Sequence, residues 1–519
     1  MRSRSRPLQR RTPPDRERID DRSRRDPGRA LSRRDLLRWS AFGAAGMWLR
    51  PVPFLEPVAA APARSPARVI VVGAGLAGLA AAHELVAAGY WVTVLEARSR
   101  PGGRVYTMRE PFADGLYAEA GAARIPSSHR LVLRYAERFG VPLEPLAPPL
   151  PQTVFVRGRR LRAPGSEMSE FPVSFSAKER ELGWSGLGAH YLGEALQAIG
   201  DPTAPGWPPP DLEPYDRITF AQFLAQRGAS EAALAFFAAG SDLAHRYSLL
   251  ELLMHVKLSS PPFLRVPGGT DQLPRRMAER LGDRIRYGRA VERIEQRTAS
   301  VRVIARRGGE HEPYDADHAI LAVPFSVLRG LEVAPPFSPE KRAAIRRQKY
   351  DAVARVFLQS RSRFWLEDGL SGFARTDHPM EIWDATYGQP GTRGILLAYV
   401  RGELAETVGG MDDDEQLQFG LAAMGEVFPS LRDQFDGGAA WSWNEDRWAR
   451  GAYSYAAPGD VMALHHHLAA PEGRVHFAGE HTSVWPGWME GALHSGLRGA
   501  REVAADPGAD AHEGPGKGP

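Results

Sequence analysis

The chain has 519 residues, 43% of them hydrophobic, enough for a sizeable core and more than one domain. Its net charge of +4 sits at one end: residues 1 to 61 hold fifteen arginines and seven acids, a local excess of eight, so the remainder carries −4 and a nucleic-acid surface on the body is not indicated. The absence of cysteine excludes disulfides, thiolate metal sites and a cysteine-linked cofactor, and no run approaches the roughly eighteen apolar residues of a membrane span.

In the leader, Ser32-Arg33-Arg34-Asp35-Leu36-Leu37-Arg38 precedes an apolar stretch to about Leu49, and the small residues of "PVAAAPA" follow near 59 to 63. A charged part, an apolar middle and a small-residue exit, in that order, resemble a twin-arginine export signal. The resemblance implies the twin-arginine export machinery as a partner, removal of residues 1–63, and an extracellular, periplasmic or cell-wall location.

The body opens with a buried-strand run, Val69 to Val72, and then Gly73-Ala74-Gly75-Leu76-Ala77-Gly78, a G-x-G-x-x-G. Helical spacing with small residues runs from Leu76 to Ala88, and a second strand, Trp91 to Leu95, ends at Glu96 before Ala97. The first two glycines permit a tight turn and close approach to a pyrophosphate, and the third permits helix–strand packing. The pyrophosphate then meets a helix N-terminus, where free N–H groups favour anions, and Glu96 is placed to accept from a ribose. Strand, helix and acid together predict a dinucleotide site.

"RPGGR", Arg100 to Arg104, follows at once. Near the other end a strand, Val475 to Ala478, precedes Gly479-Glu480, and Gly487-Trp488-Met489 leads into a helix beginning near Glu490. These segments resemble the flavin amine oxidases over most of residues 66 to 505. The resemblance implies FAD, held without a covalent link. Its contacts fall on Gly73, Gly75, Leu76, Ala77, Gly78, Glu96, Ala97, Gly103 and Arg104 at the front, with Val291 against the adenine. Glu480, Gly487, Trp488, Met489, Glu490, Gly491 and Ala492 supply the rest, together with Gly121, Ala122, Ala123 and Arg124. The implied fold class is α/β: a Rossmann-type FAD-binding domain (66–105 with 260–345 and 470–505), a mixed-sheet substrate domain (106–162 with 346–445) and a helical insertion (163–258). Residues 506–519 are expected to form a disordered tail. "GDPTAPGWPPPDLEP" is expected to be an exposed break in the helical part, whose pattern resembles that of the L-amino-acid oxidases.

"AGAARIPSSHR" resembles the L-amino-acid oxidase segment whose arginine holds the substrate α-carboxylate, which makes Arg124 the candidate clamp. A guanidinium fork can meet both carboxylate oxygens, although an ion pair with Glu119 or another acid would equally account for it. His255 falls where these oxidases carry an active-site histidine, and a packed core histidine is the alternative. Trp443 and Trp488 are candidate aromatic walls, and Gly487 offers backbone to the carboxylate. Where the family places a carboxylate-binding tyrosine, this chain has Trp383-Asp384; Trp383 cannot donate a phenolic hydrogen bond and Asp384 would attract a basic side chain. The family's lysine, which holds a water at the flavin and assists reaction with oxygen, is matched by Arg355. "LHHHL" (His465 to His467) reads as a solvated helix or loop, with no metal site.

The resemblance therefore implies FAD-dependent oxidative deamination of L-amino acids to 2-oxo acids, ammonia and hydrogen peroxide, with a small-molecule amino acid or amine and molecular oxygen as partners, and leaves room for a homodimer. A monoamine or polyamine oxidase on the same fold, or a flavin dehydrogenase or desaturase reacting slowly with oxygen, remains open at this point.

Overall fold

A computed structural model of the chain describes residues 67–147, 152–163 and 166–505; the paired arginines of the leader and the 506–519 tail lie outside them. Along the chain, β1 (Arg68–Val72) turns into α1 (Leu76–Ala87) and β2 (Trp91–Glu96), and α2 (Arg130–Arg138) follows the small-residue segment. Then come β3 (Gln152–Val156), β4 (Arg159–Ala163), α3 (Ala177–Ala198), α4 (Leu249–Leu258), β5 (Ile285–Tyr287) and β6 (His318–Leu321). The last part contains β7 (Val353–Ser360), β8 (Ala374–Thr376), β9 (Met380–Asp384), β10 (Gly394–Arg401), β11 (Phe435–Ser442), β12 (Val475–Phe477) and α5 (Met489–Ala505).

Five strands form a parallel sheet in the order β5-β2-β1-β6-β12. Its central strand β1 is a buried aliphatic run, Val69 to Val72, as suits a parallel strand covered on both faces. On one face α1 lies against α5, and this contact is made of glycine and alanine. A Cβ on Gly496 would collide with the Ala77 carbonyl, and one on Gly78 with that of Gly73. The third glycine of the fingerprint therefore acts through packing. A four-stranded sheet built from residues 290–296, 301–307, 310–316 and 332–334 accompanies this layer.

The second large sheet has seven strands, β11-β7-β10-β9-β8-β3-β4, antiparallel except where β8 meets β3. Its two faces are chemically distinct. Ala354, Val356, Leu358, Ile382, Ala398 and Val400 join one apolar core. The alternate residues, among them Val353, Trp383 and Tyr399, belong to another.

The helical part, which includes α3 and α4, has its own core. The proline-rich stretch expected to be an exposed break is anchored to it. Trp207 is buried, donates from Nε1 to the Ile199 carbonyl at 3.0 Å, and packs edge-on against His465 at 5.5 Å. His465 to His467 lie on a helix, Asp460–Ala469, but the first of them is turned inward rather than solvated. Among the described residues no helix is long and apolar enough to cross a membrane, and no group of three His, Cys, Asp or Glu could hold a metal ion.

Candidate active site

A cavity of about 440 Å³ runs from the fingerprint turn to the inner face of the seven-stranded sheet. At one end Gly73, Gly75, Leu76 and Ala77 line it, followed by Glu96, Ala97, Gly103 and Arg104, with Val291 opposite. The first turn of α1 has no side-chain cap and no acid, so its N–H groups face this space. A Cβ added to Gly75 would meet no protein atom within 4 Å, so the room beside that backbone belongs to the cavity. Glu96 accepts from Ala74 N at 2.7 Å and Arg98 N at 2.8 Å, and burial raises its pKa above the usual carboxylate value. An open glycine turn at an uncapped helix start, with a carboxylate beyond it, fits a dinucleotide with its pyrophosphate at α1.

Glu480 lies where this end meets the other. Its carboxylate takes hydrogen bonds from Arg104 Nη1, Ser454 Oγ and the Gly487 amide, each at 2.7 Å. Burial raises its pKa, but Arg104 beside it outweighs that and holds the group below its usual value. Two expectations change here. Glu480 lines the cavity with its oxygens already engaged by protein donors, and the Gly487 N–H is therefore not offered to a substrate carboxylate.

Met489 and Ala492 line the cavity, whereas Glu490 and Gly491 do not. Glu490 instead accepts from Leu131 N and Val132 N, both at 2.9 Å, closing the start of α2. A Cβ at Gly491 would meet the Trp485 carbonyl, so that glycine is a packing residue.

The segment carrying Arg124 is tied down by its small residues. Gly121 N donates to Tyr106 O and Ala122 N to Arg104 O, and a Cβ on Gly121 would run into the Arg104 carbonyl. Gly121, Ala122 and Ala123 line the cavity together with Arg124. The Arg124 guanidinium lies over the Trp383 ring at 4.2 Å and 5.5 Å from that of Phe263. Its nearest carboxylate is Glu381, at 3.7 Å, not Glu119. Glu119 is buried elsewhere, accepting from Thr107 and Thr270, and burial pushes its pKa up to about 7.

One row across the seven-stranded sheet faces the same way. The register sets Trp441 opposite Arg355, Arg355 opposite Tyr399, Tyr399 opposite Glu381, and Glu381 opposite Arg375. Two residues along the same strands stand Trp383 and Arg401. Arg401 binds Glu381 at 2.8 Å, and Trp383 Nε1 donates to the same carboxylate at 2.7 Å. Burial alone would raise the Glu381 pKa; Arg401 and Arg124 outweigh it and keep the group ionised. Tyr399 and Tyr453, hydroxyl to hydroxyl at 3.2 Å, add two phenols to the cavity. The phenol missing at position 383 is thus supplied from β10.

Asp384 is the main correction. It follows Trp383 in the same strand, so the two must point to opposite faces. Its carboxylate is buried away from the cavity, accepting from the Thr386 amide and hydroxyl and from Trp365 Nε1. It therefore cannot attract a basic substrate side chain.

Arg355 does line the cavity. One of its nitrogens donates to the Glu119 carbonyl, and its guanidinium lies 4.7 Å from the Tyr399 ring centre. Burial lowers its pKa. His255, on α4, also lines the cavity and bonds Pro486 O through Nε2 at 2.7 Å. A carbonyl only accepts, so Nε2 carries the hydrogen and Nδ1 is left as the acceptor. Trp443 donates to Ala120 O at 2.7 Å, and Trp488 stands edge-on to His129 at 5.1 Å; both indoles line the cavity. Sequence reading missed Tyr399, Arg401, Glu381 and Tyr453. The available signal was alternation: in "LLAYVRG" and "MEIW" the polar and aromatic residues fall on every second position of otherwise apolar strands.

Comparisons with known proteins bear on the family and the fold. A family profile described as flavin containing amine oxidoreductase matches residues 76–504. The chain is 32% identical over 493 residues to the flavin-dependent L-tryptophan oxidase RebO of Lentzea aerocolonigenes, covering 85% of this chain and 98% of the relative. It is 29% identical to an L-amino-acid oxidase of Pseudechis australis, covering 85% and 87%. A solved structure of putrescine oxidase bound to putrescine superposes with a TM-score of 0.73 at 25% identity, covering 85% of this chain and all of that one.

Proposed function

The chain belongs to the flavin containing amine oxidoreductases, and on that premise we propose that it deaminates L-amino acids oxidatively, giving a 2-oxo acid, ammonia and hydrogen peroxide. The family's cofactor is FAD, which when bound takes two electrons and a hydrogen from the substrate and passes the electrons to oxygen. The α1 start, Glu96, Gly103 and Val291 are the residues that would hold it.

The observation that carries the reading is the condition of Arg124. It is stacked on Trp383 and attracted to Glu381, yet its one carboxylate partner among the described residues lies beyond hydrogen-bond distance. A planar donor fork held on a cavity wall in that way is prepared for an α-carboxylate. Tyr399 stands beside it with a phenolic hydroxyl. His255 Nδ1 is positioned to take a proton from the substrate ammonium, and burial lowers the pKa of the ring so that it is neutral at pH 7. Trp443, Trp488 and Tyr453 exclude water and hold the side chain. Water then adds at the imino carbon as ammonia leaves, which balances the overall reaction of amino acid, oxygen and water.

Arg355 supplies a fixed positive charge for oxygen reduction. A plain amine would leave Arg124 with nothing to bind, which is why the amino-acid reading ranks above the amine oxidase. The order of arginine pair, apolar run and alanine exit in the leader supports export by the twin-arginine route, and sequencing the amino terminus of secreted protein tests it. The function itself is tested by peroxide release from the holoenzyme across L-amino acids and amines. Release from amino acids and not from their decarboxylated amines is expected; the reverse pattern would replace the proposal with an amine oxidase.

A further inference from the structure

The substrate end of the cavity carries more positive charge than one amino acid α-carboxylate balances. Arg124, Arg355 and Arg401 all line it. Among the described residues only one carboxylate, Glu381, forms an ion pair with any of them, shared between Arg124 at 3.7 Å and Arg401 at 2.8 Å, while the Glu119 carboxyl attracts Arg355 at longer range. Arg375, next in the cross-strand row, adds a further cation beside Glu381. The other charges around the cavity cancel locally: Arg104 with Glu480, and Arg98 with Asp446. Asp351 is ion-paired with Arg246 and attracts Arg401 only at longer range, and Asp384 lies on the opposite face of the sheet.

Register concentrates the surplus. Arg355 and Arg401 both lie against the Tyr399 ring, their guanidinium carbons 4.7 and 4.5 Å from its centre. Both residues are 6% exposed, and the Nε of each is buried without a hydrogen-bond partner. Like charges buried on one ring with donors unmet call for an anion.

Resting on the amino-acid reading above, we propose that this site selects amino acids with an acidic side chain. Arg124 receives the α-carboxylate, and the second carboxylate of a 2-amino dicarboxylic acid lies toward Arg401 within the field of Arg355. The reaction itself is unchanged, and its product is a 2-oxo dicarboxylic acid.

Each acid has an uncharged twin of the same shape, which makes the test direct. With holoenzyme at low salt, kcat/KM for L-glutamate and L-aspartate is expected to exceed that for L-glutamine and L-asparagine tenfold or more. Arg401→Gln should cut that ratio to about threefold or less, chiefly through the KM of the acids. A second measurement needs neither turnover nor a variant: titrating the oxidised holoenzyme with glutarate and with valerate, followed by flavin absorbance. Glutarate is expected to bind at least tenfold tighter. Amides matching or surpassing the acids, a preference for L-lysine, or equal binding of glutarate and valerate would each overturn the inference. If no amino acid is oxidised while amines are, the amino-acid reading fails, and the glutarate titration still decides the charge preference separately.

Discussion

Arg124 Nη2 and Glu381 Oε2 stand 3.7 Å apart, near enough to attract and too far to share a hydrogen. Glu381 meanwhile holds Arg401 at 2.8 Å, so the tighter bond of the pair is made elsewhere. Arg124 is kept in place without having its donors used. Replacing it by alanine is expected to lower kcat/KM for amino acids roughly 100- to 1,000-fold, the usual penalty for deleting one member of a buried charge contact. Flavin content should stay that of the wild type. Steady-state kinetics alongside the visible spectrum check both halves.

Arg355 stands in the cavity as a fixed charge that donates to the Glu119 carbonyl and lies against the Tyr399 phenol. Positive charge there favours the electron transfer that begins oxygen reduction. Arg355→Met is expected to slow reoxidation of the reduced enzyme by about tenfold or more. The limiting rate of anaerobic reduction at saturating substrate should change much less. Stopped-flow measurement of the two half-reactions separates them, and equal effects on both would point to a structural role.

Glu96 ties together the fingerprint turn and the start of the next segment through Ala74 N and Arg98 N. Glu96→Ala loses both bonds and the ribose acceptor. Hydrogen bonds to a charged group contribute about 1.5–3 kcal/mol, so cofactor affinity should fall roughly 10- to 100-fold. Flavin retained after gel filtration gives the answer.

Buried histidines should cost the protein stability below about pH 6.5, against an opposite effect of its buried carboxyls. Burial lowers the pKa of His129 and His481 to about 3, and of His465 and His494 to about 4. A histidine whose pKa is depressed by folding contributes stability above its unfolded value, and loses it as pH falls toward the folded one. Burial raises Glu119 and Glu490 to about 7, and these act oppositely: their contribution is whole below about 4.5 and is lost as pH rises through about 7. Burial also raises the carboxyls of Glu96, Asp216, Glu251, Asp351 and Asp384 and lowers His83 and His255, so the two sets oppose each other across this range. Glu119→Gln removes one of the opposing carboxyls, so its Tm should fall further than that of the wild type between pH 7 and pH 4.5. Thermal melts across that range decide the sign.

The cofactor half of the molecule was legible because its backbone dictates its residues. Gly78 lies against Gly73 where no side chain fits, and a side chain at Gly75 would project into the space a pyrophosphate needs. The substrate half was harder to read because its function lies in cross-strand register. Arg355, Tyr399 and Glu381 are widely separated in sequence and meet only once three strands align. Alternation alone could still have shown that Trp383 and Asp384 do not serve one pocket. Trp207 illustrates the opposite failure: proline-rich composition suggested exposure, while one large indole with a buried N–H anchors the stretch.

The Glu490 carboxylate belongs to the first turn of α5 and also binds the first amides of α2. One carboxyl group therefore sits where the amino-terminal ends of two helices converge, the helix that abuts the cofactor cavity and the helix that follows Arg124. A span of 359 residues separates Glu490 from its first partner, Leu131. The segment after Arg124 is in effect spliced onto α5. Cutting the chain before α5 would release that segment along with the wall of the cavity that α5 forms, so the two ends of the cavity stand or fall as a single cooperative unit.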